Sequence, residues 1–553
     1  MRTIAMCIVV LLLMAPAYQL TFSGDHQRTT MAGETEVVSD GSIPPQKMLD
    51  NRWVDTLVDR FRPPEGELAV WYLAFEGSRR TSSAGPSETL PTDSDERAIH
   101  KANEARGLGY TGADVRVAVV DTGLDFAQPE LAGRQARVLD NSPYFLHPIV
   151  YDPTSLNDYL LDGIIDEGRS WFVNTSYEAS VRNSDSRLFV SFEVGSVNRT
   201  WDVTGLKEWE IGEKVRIGFH PDKKLEQIFG SKVGVLLFAS IPGGAWDSVV
   251  ADLDGDDDLW DEKVAFLNDN PQDVNATAEL LYQDVNGDTV ADISGGMVYF
   301  IADGVRELPY ASRQIEVANF VWQTFLNNAS FDIWQEVNAT PADNLVPSNG
   351  SLVALFGDFG PPGVFGSHGT WVASALAGQG GVDRGGLGPN LTGMAPGVEL
   401  MAAGNLWGGD PLGLPWQTAL MFVSEGYDGA IGTGDEAHIA SNSWGSRAFT
   451  GWSWSCRLVD YLSSVHSQNQ TVYVFAAGNS GWGYGGLQCP GGATSVVTAG
   501  ASTNMFYRDD PWFAFDAGPN PTFGDIASFS NRGPSALGTQ YVDVLANGLF
   551  GYG

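Results

Sequence analysis

Val115-Arg-Val-Ala-Val-Val-Asp121-Thr-Gly123 opens with six residues that are almost all apolar and closes on a carboxylate followed by a turn. A run of strand length that is apolar at nearly every position suits a strand buried on both faces, the usual state in a parallel sheet. Val472-Tyr-Val-Phe-Ala-Ala477 and Ser495-Val-Val-Thr-Ala-Gly500 have the same character. Before them, Trp416 to Glu425 and Arg457 to Ser467 repeat apolar residues at helical spacing. Strands alternating with helices predict an α/β fold, a mostly parallel sheet flanked by helices.

Working outward, the chain has 553 residues, of which 43% are hydrophobic and 11% aromatic, enough for a sizeable core and against a disordered chain. Its formal charge of −36 comes from 68 acidic against 32 basic residues. Charged residues total only 18%, below the usual ~25%, so the acidity is a shortage of bases. With no basic run to neutralise phosphates, nucleic-acid binding is excluded. An acidic surface suits salt water and divalent cations.

Met1-Arg2, the apolar run Ile4 to Ala15 and the Ala15-Pro-Ala17 ending read as a secretory signal over residues 1–22. No later apolar run approaches the ~20 residues of a membrane span, so a secreted chain with no stable span after signal removal is expected. Cys7 would leave with the signal. Cys456 and Cys489 remain, an even number in an exported chain, which favours a disulfide. Asn174, Asn198, Asn275, Asn328, Asn338, Asn349, Asn390 and Asn469 each begin an N-x-S/T sequon, in keeping with export. Residues 23–97 are polar and contain proline; they are where a propeptide or N-terminal extension would lie. From about 135 to 349 the pattern changes to short strand-like runs between polar turns: Arg187 to Glu193, Lys214 to His220 and Lys232 to Ala239. These predict a β-rich insertion.

Three elements carry chemistry. Asp121 ends a buried strand, the edge where active groups collect in open α/β sheets. His368, within Gly366-Ser-His-Gly-Thr-Trp-Val-Ala-Ser-Ala-Leu-Ala377, opens a helix of small residues and is one of only 7 histidines. Asn479, in Ala476-Ala-Gly-Asn-Ser-Gly481, follows a second buried strand in a glycine-rich turn that could aim its amide at a developing oxyanion. Singly, each has an ordinary structural reading: a turn Asp, a packed His, a left-handed turn Asn.

Together and in this order they resemble the subtilisin-like serine proteases, the subtilases. Val117-Ala-Val-Val-Asp121-Thr-Gly, Ser367-His368-Gly-Thr, Ser441-Asn-Ser443-Trp-Gly445, Ala476-Ala-Gly-Asn479 and Phe529-Ser-Asn-Arg-Gly-Pro534 are similar to family segments. The resemblance covers 98–134 and 350–553, the expected catalytic domain, and leaves 135–349 as the insertion. It implies that Asp121 orients His368, that His368 acts as general base and then acid, and that Asn479 helps bind the oxyanion. It also implies a protein or peptide substrate laid as an added strand along Ser443, Trp444 and Gly445, with Ala477 and Gly478 beside it. Trp444 suggests an aromatic-lined cleft. No organic cofactor is implied.

The family's G-T-S nucleophile motif does not occur. It is expected some tens of residues after Asp543-Val-Leu-Ala-Asn-Gly548, so the chain reads as a fragment ending before its serine, inactive as it stands. Ser480 and Ser535 do not occupy the nucleophile position, and Asn547 stands where a proline is expected. The long Asp-to-His insertion and Cys489-Pro-Gly-Gly-Ala-Thr494 resemble the pyrolysin and tripeptidyl-peptidase II branch. Ser446-Arg447 replace the glutamate that holds a free amino terminus in the tripeptidyl enzymes, which favours an endopeptidase. The alternative is a non-catalytic subtilase-like binding or adhesion protein.

Two acidic loops complete the reading. Asp284, Asn286, Asp288 and Asp292 occupy alternating positions of Asp284-Val-Asn-Gly-Asp-Thr-Val-Ala-Asp292, and Asp252, Asp254, Asp256 and Asp258 begin a second run with Asp261 nearby. Crowded carboxylates repel unless a cation neutralises them, and calcium is the hard, oxygen-preferring candidate. Glu130 is a weaker calcium candidate, carried over from a family position.

Overall fold

The computed structural model describes residues 97, 100–139, 144–154, 156, 172–173, 177–209, 211–220, 232–241, 243–260, 262–266, 280–284, 291–326, 345–356, 368–381, 392–404, 414–446, 453–468, 470–481, 485–503, 526–535, 538 and 540–549. The expected signal and nearly all of residues 23–97 lie outside them. Of the eight sequons, Asn198 and Asn349 are described, and both are exposed.

A short helix, α1 (Ala102–Gly107), leads into β1 (Arg116–Val120), and β2 (Val150–Tyr151) follows. The middle of the chain supplies β3 (Phe172–Val173), β4 (Tyr177–Ser184), β5 (Arg187–Val194), β6 (Val197–Asp202) and β7 (Lys214–Phe219). It continues with β8 (Gly234–Phe238), β9 (Ser248–Ala251), β10 (Ala265–Phe266), β11 (Leu280–Gln283) and β12 (Ile293–Ile301). Helix α2 (Ala311–Val321) and β13 (Leu352–Phe356) close that part. Then come α3 (His368–Ala377), β14 (Glu399–Ala403), α4 (Leu414–Glu425), β15 (Ile439–Asn442), α5 (Trp454–Tyr461), β16 (Val472–Ala476), β17 (Val497–Thr503) and β18 (Val544–Leu549).

The expected α/β layers are present. Seven strands form one parallel sheet in the order β18-β17-β16-β15-β1-β14-β2. Strand β1 lies inside it, and Val117, Ala118, Val119 and Val120 are all fully buried. Successive side chains of a strand point to opposite faces. Ala118 and Val120 accordingly join one apolar cluster with α2, α4 and α5, while Val117 and Val119 join the other with α3. That two-sided burial is why the run has no polar alternation. Each buried valine contributes about 1.5–3 kcal/mol, and Val119→Asp would put an unpaired charge in the dry interior. Helix α4 is covered on all sides, so it reads as apolar around most of its circumference, from Trp416 to Glu425.

The β-rich insertion is two antiparallel sheets, β10-β9-β8-β7-β4-β5-β6 and β11-β12-β13-β3. Val235, Leu237, Val249 and Ala251 of the first meet Leu281 and Leu352 of the second in one cluster. Leu280 and Val298, on the other face of the four-stranded sheet, join the α3-side core. Sheet membership does not follow the boundaries at 134/135 and 349/350. Gln135 bridges Leu400, and β2 adds an edge to the parallel sheet, whereas β13 belongs to the insertion's sheet. A strand is claimed by the partner it can hydrogen-bond, and that partner is distant in sequence. Among the described residues no helix is long and apolar enough to cross a membrane.

Candidate active site

Parity along β1 decides where Asp121 points. Residues 117 and 119 face α3, so the next odd position faces it too, and His368 is the first residue of that helix. Asp121 Oδ1 lies 2.7 Å from His368 Nδ1, across 247 residues of chain. Asp121 is 5% exposed and also accepts the Thr122 N–H, while the His368 side chain is 24% exposed, so a shielded carboxylate holds an accessible imidazole. The approach is close because Gly369 has no side chain: a Cβ there would lie 2.1 Å from the Gly123 carbonyl oxygen. The Gly369 N–H donates to Thr122 Oγ1 at 2.8 Å, fixing the start of α3 against the turn after β1. With Nδ1 engaged by Asp121, Nε2 is the nitrogen left to exchange a proton.

Asp125, four residues on, is buried, and burial raises its pKa while bonds from Ser294, Gln128 and Ala127 oppose that rise. Its N–H donates to Thr370 Oγ1 at 2.9 Å, and its carboxyl accepts the Ser294 hydroxyl at 2.7 Å. Ser294 belongs to β12, so the insertion touches the loop that carries Asp121. Nothing local in the sequence marks this contact.

The register of the parallel sheet brings the remaining candidates to the same edge. Val120 pairs with Asn442 and Asn442 with Phe475, which sets Asp121, Ser443 and the turn after β16 at the carboxyl ends of three neighbouring strands. Ser443 Oγ is buried and has no hydrogen-bond partner among the described residues. Trp444 departs from the expectation of an aromatic-lined cleft. Its ring packs on Trp416 at 4.4 Å and Phe475 at 5.4 Å, so it belongs with the core that α4 covers. Gly445 lies against Gln488 and Cys489, and the Ser446 N–H donates to the Cys489 carbonyl at 2.9 Å.

Asn479 is exposed in a turn that is held from below. Gly478 has φ +104°, and a Cβ on it would lie 2.3 Å from Asn531 Nδ2, so both conformation and space call for glycine. Asn531 itself is the clamp. Its Nδ2 donates to the Ala477 carbonyl at 2.9 Å, its Oδ1 accepts the Ser480 N–H at 2.7 Å, and its N–H donates to the Gly478 carbonyl at 2.9 Å. Sequence reading recognised the Phe529 to Pro534 segment but gave Asn531 no role. Cys456 and Cys489 are joined as a disulfide, tying α5 to the segment that meets Ser446.

Neither serine near the site is placed as a nucleophile. Ser480 Oγ accepts from Gln488 Nε2 at 2.9 Å, and Ser535 is 1% exposed and accepts the Gln540 N–H at 3.1 Å.

The acidic residues of the insertion are placed unevenly. Asp252, Asp254 and Asp256 converge, and the fourth carboxylate beside them is Glu262, which the spacing did not suggest. Asp258 is outside that group. Its N–H donates to Asp256 Oδ1 and its backbone bridges Asp202, which turns the chain away. Asp261, Asn286 and Asp288 lie outside the described residues; Asp284 and Asp292 are described and join no metal-type group there. All four converging groups are hard oxygen donors, a set that fits a cation such as calcium. Glu130 accepts the Gly380 N–H at 2.7 Å.

Residues 353–552 match the subtilase family model, a span that includes His368, Ser443 and Asn479 but not Asp121. Among solved structures, the chain is similar to sphericase, with 24% identity over 32% of this chain and 52% of that one, at a TM-score of 0.24. It is similar to the prenylagaramide maturation protease PagA at 22% identity, over 33% and 52% of the two chains, at 0.22. It is also similar to a psychrophilic protease at 27% identity, over 32% and 52%, at 0.22. The chain thus spans about half the length of the solved proteins it matches.

Proposed function

We propose that the protein, whose residues 353–552 match the subtilase family model, is a secreted serine endopeptidase of that family. The observation that carries the reading is the 2.7 Å contact between Asp121 and His368 at the carboxyl edge of the parallel sheet. In this reading Asp121 holds Nδ1–H of His368, so that Nε2 takes the proton of the nucleophilic serine and then returns it to the leaving amine. The Asn479 amide, on the turn clamped by Asn531, donates to the oxyanion; loss of one such donor costs about 10²–10³-fold in kcat. The substrate lies along Ser443 to Gly445 as an added strand. The long insertion supports the pyrolysin and tripeptidyl-peptidase II branch. Ser446, which follows Gly445 and pairs with Cys489, supports internal cleavage over tripeptide release. Calcium held by the insertion's acidic residues completes the proposal.

The test is labelling by a fluorophosphonate probe. The native secreted protein is expected to react, and its His368→Ala variant is not. A native protein that remains unlabelled while folded and secreted would put the non-catalytic binding protein in place of the protease.

A further inference from the structure

We propose that Asp252, Asp254, Asp256 and Glu262 together form one calcium site, a ligand set that neither acidic run displays as written; the inference rests on the calcium part of the reading above. One oxygen from each of the four lies within 4.8 Å of the others. Calcium binds oxygens at about 2.3–2.6 Å and tolerates irregular shells, so four such ligands suit it, whereas magnesium demands near-ideal octahedral geometry and keeps several waters.

The independent observation is the state of Asp252. It follows β9 and is 0% exposed, yet neither carboxylate oxygen accepts a hydrogen bond from any described residue. A buried carboxylate with no donor is strongly disfavoured unless a cation compensates it. Among the described residues the basic group beside it is Arg199, whose Nη1 is 3.6 Å away and is shared with Asp257 at 3.5 Å. That one guanidinium is divided between Asp252 and Asp257, while Asp254 and Asp256 add further negative charge around Asp252.

The neighbours are already oriented. Asp254 accepts the Asp256 N–H through Oδ1 at 3.1 Å and the Gln283 amide through Oδ2 at 3.0 Å. Glu262, six residues after Asp256, is brought in by a backbone bridge to the same Gln283. The ion would thus sit where the turn after β9, the approach to β10 and the end of β11 meet, and would tie the insertion's two sheets together.

The experiment is calorimetry and thermal melting of the full 553-residue chain, stripped with EGTA and titrated with calcium chloride or magnesium chloride. Calcium is expected to bind and raise the melting temperature, with magnesium weaker. Asp252→Asn and Glu262→Gln are each expected to weaken calcium binding by about tenfold or more, and Asp258→Asn to leave it unchanged. Should Glu262→Gln fail to fold, Asp252→Asn decides on its own. In EGTA it should melt above the unsubstituted chain, because a crowded buried charge is gone, and in calcium below it. Melting below it in both would overturn the site. No calcium-dependent heat or melting shift would overturn the site and the calcium reading together. Calcium binding lost in Asp258→Asn but kept in Glu262→Gln would overturn the ligand set alone. The protease reading is decided separately, by probe labelling.

Discussion

Two carboxylates with no exposed surface, Glu425 in the helical layer over the parallel sheet and Asp252 in the β-rich insertion, meet opposite fates. Glu425 ends α4 and is supplied by three residues from two other segments. Arg313 donates through Nε at 2.9 Å and through Nη2 at 2.7 Å, the Tyr310 hydroxyl donates at 2.6 Å, and His466 Nε2 lies 2.7 Å away. Burial pushes its pKa up, but the bonds from Arg313, His466 and Tyr310 outweigh it and hold the carboxyl below its ordinary value. Asp252 has no such donors among the described residues. Burial, then the charges of Asp254 and Asp257, push it up to about 8. The lesson is that burial alone does not say whether a charge belongs to the protein. The protein-only donors of Glu425 make it a structural group, and their absence around Asp252 marks a place for something from solution.

The sharpest way to break the comparison is to remove the Glu425 donors. Arg313→Met leaves a buried carboxylate without its bidentate partner and should cost about 3–5 kcal/mol in urea unfolding. A loss below about 1 kcal/mol would mean that Tyr310 and His466 suffice. Next comes the clamp at the active-site turn. Asn531→Ala removes two side-chain bonds and strands the Ala477 to Ser480 backbone, with an expected loss of about 2–3 kcal/mol and faster hydrogen exchange at Ser480. Unchanged exchange there would reduce Asn531 to filler.

A pH titration sharpens the contrast in sign. Asp435, 1% exposed, has its pKa raised by burial to about 6, despite bonds from Tyr427 N–H and Thr433. Its folded form holds a proton that the unfolded chain, at the ordinary value of 3.8, releases earlier. Stability from this group is therefore present below pH 3.8 and is lost as pH rises to about 6. Glu425 works the other way: its contribution is present above the unfolded pKa and is lost as pH falls through the folded one. Asp435→Asn should flatten the fall between pH 4 and 6 by about 1–2 kcal/mol, and denaturation midpoints at a series of pH values would show it. The smallest effect is expected for Ser294→Ala, about 1 kcal/mol, with the loss confined to the link between β12 and Asp125. A loss as large as that of Arg313→Met would show that this one hydroxyl anchors the whole insertion.

How much of this was legible in the sequence depended on the range of the interaction. Asp121 could be found because a strand buried on both faces is written as a continuous apolar run ending in a carboxylate. His368 could be found because its helix must be small to pack against β1 and β14, and the composition says so. The strands of the insertion appear as short strand-like runs between polar turns, and β5, β7 and β8 lie on those runs. Contacts settled by tertiary structure were not legible. The Asn531 clamp spans 54 residues to Ala477, the Ser294 link spans 169 to Asp125, and no periodicity encodes either. Trp444 looked like a cleft residue because its neighbours in sequence are substrate-strand residues, but a side chain after β15 faces whichever layer its parity dictates. Glu262 was missed for a related reason: it stands six residues past Asp256, off the alternating positions of that run, and is turned in by its backbone bridge to Gln283.

The 247-residue interval between the two members of the dyad also has a consequence for the order in which the chain folds. Closing a loop of that length costs about 5 kcal/mol of chain entropy beyond a constant, whereas the β4–β5 hairpin closes between Ser184 and Arg187 almost at once. Once the insertion has condensed, β2 and β13 deliver the two ends of the loop to one side of the molecule and most of that entropy is already spent. Asp121 and His368 are therefore expected to meet late, after the insertion has folded. In pulsed hydrogen exchange during refolding, the amides of β5 should gain protection before that of Gly369. A newly made chain would pass through its most exposed and cleavable stage with Asp121 and His368 still apart.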